Sequence, residues 1–508
     1  MATTSTGTYG RGTTAANALN ANLLQHPEIA RTLISLYPRY SMTYLLEKTR
    51  RHAAEKVLGD SSYEWKVMNR LSRKCLIDVA GTPTVGDGSP AAGEAAVAGD
   101  LMTGFKFENT SGGGVEDWFN LYDVVRFPSG ATGLVVAGPS SNAYSIEPIT
   151  AITAADNTVG NVVGRIGSAF PAGSSGADVG ENNVYPDTYK NWMTINRKKC
   201  TITGKDATDV SWVENNGQKL WYFTKENHMM DQFMYEQELQ RWYGQTSVVA
   251  DGSGDYAKSY ADTNTDIIGN IATGTYADGS TRPAPTTTNG QFTIGDGVLA
   301  QIDGSNQATY AAGTLTEDII TEFIGKISLN AQNAEGNEWV VFTGTEGRIA
   351  FHRAMKDLIV APSGAMTGGS MKDIKAGSDV SLGGNFTSYH ALGNKITIAY
   401  CPVFDDAHVH GASGGTNSFG DTRLKESMKM VFMDFGSTSS VSNVELITKG
   451  AAGINRSLVK KYVGGMVNPY DTKGMLAANG DDRFQCHALS ESGIVVRNPL
   501  SCGVLSAA

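Results

Sequence analysis

The stretch Gly217–Tyr243, GQKLWYFTKENHMMDQFMYEQELQRWY, constrains the fold more than any other part of this 508-residue chain. After its first residue it has neither glycine nor proline, so nothing in it breaks a helix, and at ~1.5 Å per residue it spans about 40 Å. Its apolar residues Leu220, Phe223, Met230, Phe233, Met234, Leu239 and Trp242 do not fall on one narrow stripe. A helix apolar over so wide an arc must meet more than one partner surface. The expectation is a long helix laid across a large α+β body.

Around it the chain alternates short helical and β patterns. Pro27 and Glu28 open a short helix with Ile29, Leu33 and Leu36 at helical spacing. Ser41 caps a second helix expected over 42–58. Residues 63–109 read as extended and glycine-rich. Leu121–Ile152 alternates β-branched runs with Pro-Ser-Gly and Gly-Pro-Ser-Ser turns, the pattern of a small barrel or sandwich. Residues 192–204 read as a strand. Residues 247–313 form a Gly/Thr/Asp/Ala stretch, expected as an inserted surface region, since a compact fold rarely tolerates so long an irregular loop.

Thr316, followed by Glu317 and Asp318 and then by Ile320, Phe323, Ile324 and Ile327, predicts a capped amphipathic helix. Trp339–Thr343 reads as a buried strand and 345–358 as a helix. Residues 386–392 and 395–400 read as a hairpin turning at Gly393-Asn394, and Met428–Phe435 as a further strand. Residues 483–497 read as two strands around Ser490–Gly493. No repeat of fixed period is present.

Composition bears on function mainly by exclusion. The net charge is −10, whereas nucleic-acid grips are basic over the binding domain. The charge is uneven. Residues 1–75 carry eleven Lys/Arg against five Asp/Glu, and residues 76–189 three against thirteen. A basic arm and an acidic segment can dock one copy on the next, although solvation of two different faces accounts for the same counts. Five scattered cysteines without a CxxC make neither a disulfide framework nor a zinc cluster. No secretory signal and no membrane-length apolar run is expected.

Catalytic patterns fail one by one. Gly411-Ala412-Ser413-Gly414-Gly415 spells GxSxG and Asp434-Phe435-Gly436 spells a kinase triplet, but neither has its required surroundings. No catalytic residue and no cofactor is assigned. Asp405–His410 is the remaining cluster. Written as a strand, it puts Asp406, His408 and His410 on one face, and these are weak candidates for metal ligands. The same residues suit a polar edge loop. Arg50, Arg51 and Lys56 are candidates for subunit contacts.

The order of elements resembles the major capsid proteins of tailed double-stranded DNA phages, the Hong Kong 97-type fold. More narrowly, SLYPRYSMTYLLEKTRR (35–51), YEWKVMNR (63–70) and YCPVFDDAHVHG (400–411) are similar to capsid proteins of crAss-like phages. The resemblance implies an N-terminal arm (1–60) and an E-loop (61–205) carrying an inserted β-subdomain at about 115–170. It further implies a peripheral domain with a spine helix (206–246) and an axial domain (247–427) with an insertion at about 247–313. Residues 428–508 then return to the peripheral domain.

It implies self-assembly into hexamers and pentamers of an icosahedral head enclosing double-stranded DNA without sequence-specific binding. Portal, scaffold and auxiliary or fibre proteins are the implied partners, with no membrane. Assembly would take place in the bacterial host cytoplasm and the product would reside in the virion. A tail or fibre component, or a hydrolase, are the alternatives.

Overall fold

The computed structural model describes residues 52–56, 62–67, 75–84, 95–108, 118–140, 143–175, 180, 186–205, 210–215, 218–245, 294–331, 337–359, 388–411, 413–416, 420, 422–438, 441–451, 454–466 and 480–508. The expected arm, the first short helix, and Arg50 and Arg51 lie outside them, as does most of 247–313. The chain divides into two compact units, one of residues 1–65 and 190–508, the other of residues 66–189. The described elements mix helices and sheets, the α+β class expected.

The smaller unit is a closed β structure. Its strands run in the order Cys75–Val79, Val162–Ser168, Asp123–Arg126, Thr132–Ser140, Ala143–Pro148, Leu101–Glu108 and Thr82–Thr84. A further pairing of Cys75–Val79 with Leu101–Glu108 closes six of them into a ring. Closure removes the open edges that a sheet of this size otherwise presents. The interior is aromatic: Phe105, Phe107, Phe119, Phe127 and Tyr144 are buried together, with Phe107 and Phe119 edge to face at 4.8 Å. Gly81 is needed there, because a Cβ would stand 2.5 Å from the Phe105 ring. The backbone around it is held by Asn157, fully buried, which accepts from the Gly81 N–H at 3.0 Å and donates to its carbonyl at 2.6 Å. The β region legible at 121–152 is thus the middle of a barrel that recruits strands from both sides, including part of the stretch expected to be merely extended.

The larger unit carries two six-stranded sheets. In the first, His52–Lys56, Val444–Ala451, Arg483–Val496 and Thr194–Thr203 lie side by side, with Ile454–Asn455 and Val459–Val463 paired onto it. Two expectations fail here. Residues 52–56, expected as the end of a helix, form a strand parallel to Val444–Ala451. Tertiary pairing overrides local helical spacing. Residues 483–497, expected as two strands, are one strand of 14 residues. Ser490 and Glu491 sit buried within it, in register with Asn196 and Ile195 of the neighbouring strand, so no turn forms.

The second sheet runs Gln307–Tyr310, Gly503–Ala507, Met430–Asp434, Glu338–Thr343, Asn394–Tyr400 and Ser388–Ala391. Met430–Met433 are buried on both faces, as a central strand between layers requires. Helix α1 (Trp221–Tyr243) belongs to this unit, as do the short helix α2 (Val298–Gln301), α3 (Glu317–Asn330) and α4 (Thr345–Ile359).

Thr316 caps α3, its side chain accepting from the Ile319 N–H, with Glu317 and Asp318 in the first turn. Ile320, Phe323, Ile324 and Ile327 then pack against Trp339, Val341 and Phe432 of the sheet. Each such buried side chain stabilises by roughly 1.5–3 kcal/mol. The expected insertion ends earlier than residue 313: Val298 of α2 and Ile302 are core residues, and Gln307–Tyr310 is an edge strand. The hairpin turn falls one residue early, at Leu392 (φ 50°) and Gly393 (φ 74°). Asn394 starts the return strand instead, fully buried and donating to Ser328 Oγ at 3.1 Å.

Candidate functional site

Helix α1 joins the two sheets. Toward its N-terminal half Met229 and Phe233 pack on Cys200, Ile202, Phe484, Cys486 and Ala488 of the first sheet. At its C-terminal end Trp242, fully buried, enters a different core with Phe342 and Phe404. The Trp242 ring meets those of Phe342 and Phe404 edge to face at 5.3 and 5.0 Å, and its indole N–H donates to the buried Glu238 at 3.0 Å. The wide apolar arc read in the sequence is this division of one helix between two cores. Leu220 precedes the helix, in the strand Gln218–Leu220.

Polar anchors fix the helix where apolar packing alone would let it slide. Glu226, buried, receives the Tyr462 hydroxyl at 2.6 Å and pairs with Lys460. Burial acts to lower the Lys460 ammonium, but the bond to Glu226 outweighs it and holds the group above the ordinary lysine value. Glu236 pairs with Lys198. Tyr235 donates to Asp406, and Tyr243 to Glu426 at 3.1 Å. Lys429 also reaches Glu426, at 2.6 Å. Burial, with the neighbouring carboxylates, pushes both tyrosine hydroxyls well above the usual range.

The Asp405–His410 cluster is not a strand. It is a 3-10 turn, Pro402–Asp405, followed by a reverse turn, so Asp406, His408 and His410 do not share a strand face. Both aspartates already serve the fold. Asp405 accepts from Thr345 N–H at 3.0 Å and Thr345 Oγ1 at 2.6 Å, and from Ser427 Oγ. That places a carboxylate at the positive end of α4. Asp406 takes the Tyr235 hydroxyl and the His408 N–H, the latter at 2.9 Å. The His410 ring lies 4.8 Å from that of Tyr243. Among the described residues no group of three or more His, Cys, Asp and Glu side chains is placed to hold a metal ion. Sequence reasoning missed Asp405 as a helix anchor because its partner is 60 residues away.

Ser413 opens a short strand, Ser413–Thr416, paired with Thr422–Leu424. The strand-to-helix elbow a nucleophile of that motif needs is not formed. Lys56 ends the strand His52–Lys56. In the first sheet Glu491, buried, is held by Lys449 at 3.1 Å and Arg456 at 2.7 Å. Removing either cation leaves a buried carboxylate undercompensated. Among the described residues no helix is long and apolar enough to cross a membrane.

No curated protein matches the sequence. Among solved structures, the chain from Microbacterium phage Oxtober96 is similar at 10% identity and a TM-score of 0.37, over 97% of this chain and 98% of that one. The capsid of cyanophage Pam1 is similar at 10% identity and a TM-score of 0.32, over 67% and 82%. The SrpI encapsulin of Synechococcus elongatus PCC 7942 is similar at 9% identity and a TM-score of 0.32, over 64% and 77%. Residues 271–508 match the family described as Crassvirus major capsid protein. That match takes in all of the second sheet, the cluster at Asp405–His410 and the long strand Arg483–Val496, and over that stretch the chain is similar to the major capsid proteins of the crAss-like phages.

Proposed function

We propose that the chain assembles with copies of itself, as hexamers and pentamers, into the icosahedral head of a tailed phage. The observation that carries this is the family match over residues 271–508. In the proposed assignment the fold is of the Hong Kong 97 type. Residues 1–60 are the N-terminal arm and 61–205 the E-loop region with its β insertion at about 115–170. Residues 206–246 carry the spine helix, 247–427 the axial domain with its insertion at about 247–313, and 428–508 return to the peripheral domain.

The work is mechanical, not catalytic. Each copy makes several modest contacts, and closure of a curved lattice makes them cooperative. The helix anchored in two cores supports this reading, because a shell subunit must keep its contact surfaces in fixed relation. The shell encloses double-stranded DNA without reading its sequence. A net-acidic chain suits that role, since tight neutralisation of phosphates takes many cations. Portal, scaffold and auxiliary or fibre proteins complete the head, assembled in the bacterial cytoplasm.

Arg50, Arg51 and Lys56 are proposed to dock the arm of one copy on the acidic segment of the next. The test is the full chain expressed alone, followed by size exclusion and negative-stain electron microscopy. Closed shells, sheets or curved polymers are expected. A chain that stays monomeric both alone and with its scaffold would overturn the reading. Reversing the three charges should abolish assembly while leaving the melting transition in place.

A further inference from the structure

Cys200 and Cys486 face each other across the antiparallel strands Thr194–Thr203 and Arg483–Val496. Directly opposed residues on such strands have Cα atoms about 4.5 or 5.5 Å apart, according to their place in the ladder. Both separations lie inside the range of about 4.4–6.8 Å that a disulfide spans. The two side chains share the face beneath α1, where they pack with Met229 and Phe233. Two small apolar residues would fill that space equally well, but these thiols also bond to each other.

The bond gives the pair a direction. Cys486 donates to Cys200, and that bond holds the Cys200 thiol below its ordinary value, with Lys225 acting in the same sense against burial. The same bond, with burial, holds the Cys486 thiol above its own. Lys225 is placed by donating to the carbonyl of Thr201, the residue after Cys200. Exposure follows the same order: Cys200 keeps 7% of its surface and Cys486 0%. The more acidic thiol is therefore the more accessible one, as an attacking cysteine beside a resolving one requires. The remaining cysteines have other surroundings. Cys75 lies inside the barrel, the Cys502 thiol accepts from the Asn443 amide at 3.9 Å, and Cys401 belongs to the core of Trp242 and Phe404.

We propose that Cys200 and Cys486 are a redox modification site, at which a small peroxide converts the two thiols to a cross-strand disulfide. Cys200 Sγ, as the thiolate, attacks one peroxide oxygen. The O–O bond breaks, the sulfur becomes a sulfenic acid, and the other oxygen leaves as water with the proton that Cys200 gave up. Cys486 Sγ then attacks the Cys200 sulfur, its thiol proton joins the departing hydroxyl, and a second water is released as the S–S bond forms. Two electrons pass from the sulfurs to the peroxide. Burial shuts out a bulky reagent, whereas hydrogen peroxide is little larger than water. The bridge closes a loop that holds α1 and five of the six strands of the second sheet. A staple across so long a loop removes much of the freedom of the unfolded chain.

The experiment exposes the full native chain to graded hydrogen peroxide, alkylates the remaining thiols in denaturant, digests without reductant and reads the peptides by mass spectrometry. The peptides of Cys200 and Cys486 should appear joined, about 2 Da lighter than their sum, and separate again on reduction. The urea midpoint of the oxidised chain should rise, and return to its starting value once dithiothreitol is added. Cys486→Ser should leave a sulfenic acid at Cys200, trapped by dimedone, whereas Cys200→Ser should leave Cys486 unmodified. Both cysteines still alkylated after peroxide, a bridge formed only in denaturant, or a bridge elsewhere, such as between Cys401 and Cys502 of their shared core, would overturn the proposal. So would a bridge that leaves the urea midpoint in place, or a dimedone adduct on Cys486 in the Cys200→Ser chain. The bridge and the midpoint are read on the parent chain, so the test stands even where a serine variant fails to fold. None of these outcomes bears on the shell reading, from which the proposal is independent.

Discussion

Cys200 stands directly opposite Cys486 on the antiparallel strands Thr194–Thr203 and Arg483–Val496, both thiols free and buried beneath α1. The other three cysteines are buried too. The hydrogen bond between Cys200 and Cys486 raises the Cys486 thiol and lowers that of Cys200, while burial pushes Cys502 up to about 12. Thiolates are the reactive form, but burial of all five keeps a bulky reagent from reaching any of them, Cys200 included. An aromatic disulfide reagent should therefore label none of the five in the native chain and all five once it is denatured. Rapid labelling of any cysteine in the folded protein would contradict the burial of these thiols.

Asp156 holds a loop of the barrel by accepting from Ser129 N–H at 2.9 Å, Ser129 Oγ at 2.7 Å, Thr153 N–H at 3.1 Å and Thr153 Oγ1 at 2.6 Å. Burial acts to raise this carboxyl, but the bonds from Thr153 and Ser129 outweigh it and hold the group below its ordinary value. A carboxyl lowered by folding stabilises above the ordinary carboxylate range and loses that contribution as pH falls through its folded value. Asp156→Asn should cost about 1.5–3 kcal/mol at neutral pH and flatten the acid limb of stability against pH. Chemical denaturation across the acid range up to neutrality measures both.

Trp242→Ala should cost about 3–5 kcal/mol by opening a cavity between Phe342 and Phe404. The same substitution leaves the Glu238 carboxylate without its indole donor. Trp242→Phe keeps most of the packing and should lose less. Urea melts of the two variants separate the packing contribution from the hydrogen bond, and equal losses would contradict this account.

Leu392 holds a left-handed backbone conformation, φ 50°, with its side chain 54% exposed. A non-glycine residue with a bulky side chain is strained there, and asparagine tolerates the region better. Leu392→Asn is expected to raise stability by about 1 kcal/mol, read as an upward shift of the melting temperature. A downward shift would mean that the exposed leucine makes a contact worth more than the strain.

Local chemistry makes several elements legible from residue order alone. The Thr316 cap and the spacing of Ile320, Phe323, Ile324 and Ile327 define α3 within the chain itself, and the run Trp339–Thr343 is apolar enough to be central. The breadth of apolar residues on α1 signals two packing surfaces. What stays hidden depends on partners distant in sequence. His52–Lys56 is a strand because Val444–Ala451 offers it a ladder. Asp405 and Asp406 are taken up by Thr345 and Tyr235.

Residue type, spacing and short motifs suffice for the class of fold, the long helix, the barrel's central strands and the likeness to a capsid family, because each of these is written into neighbouring residues. In the pairs Lys198-Lys199 and Lys460-Lys461, which lysine is neutralised is a matter of tertiary packing. Alternation along a strand says that the two point apart, but the position of α1 with Glu226 and Glu236 says which face holds the counter-charge.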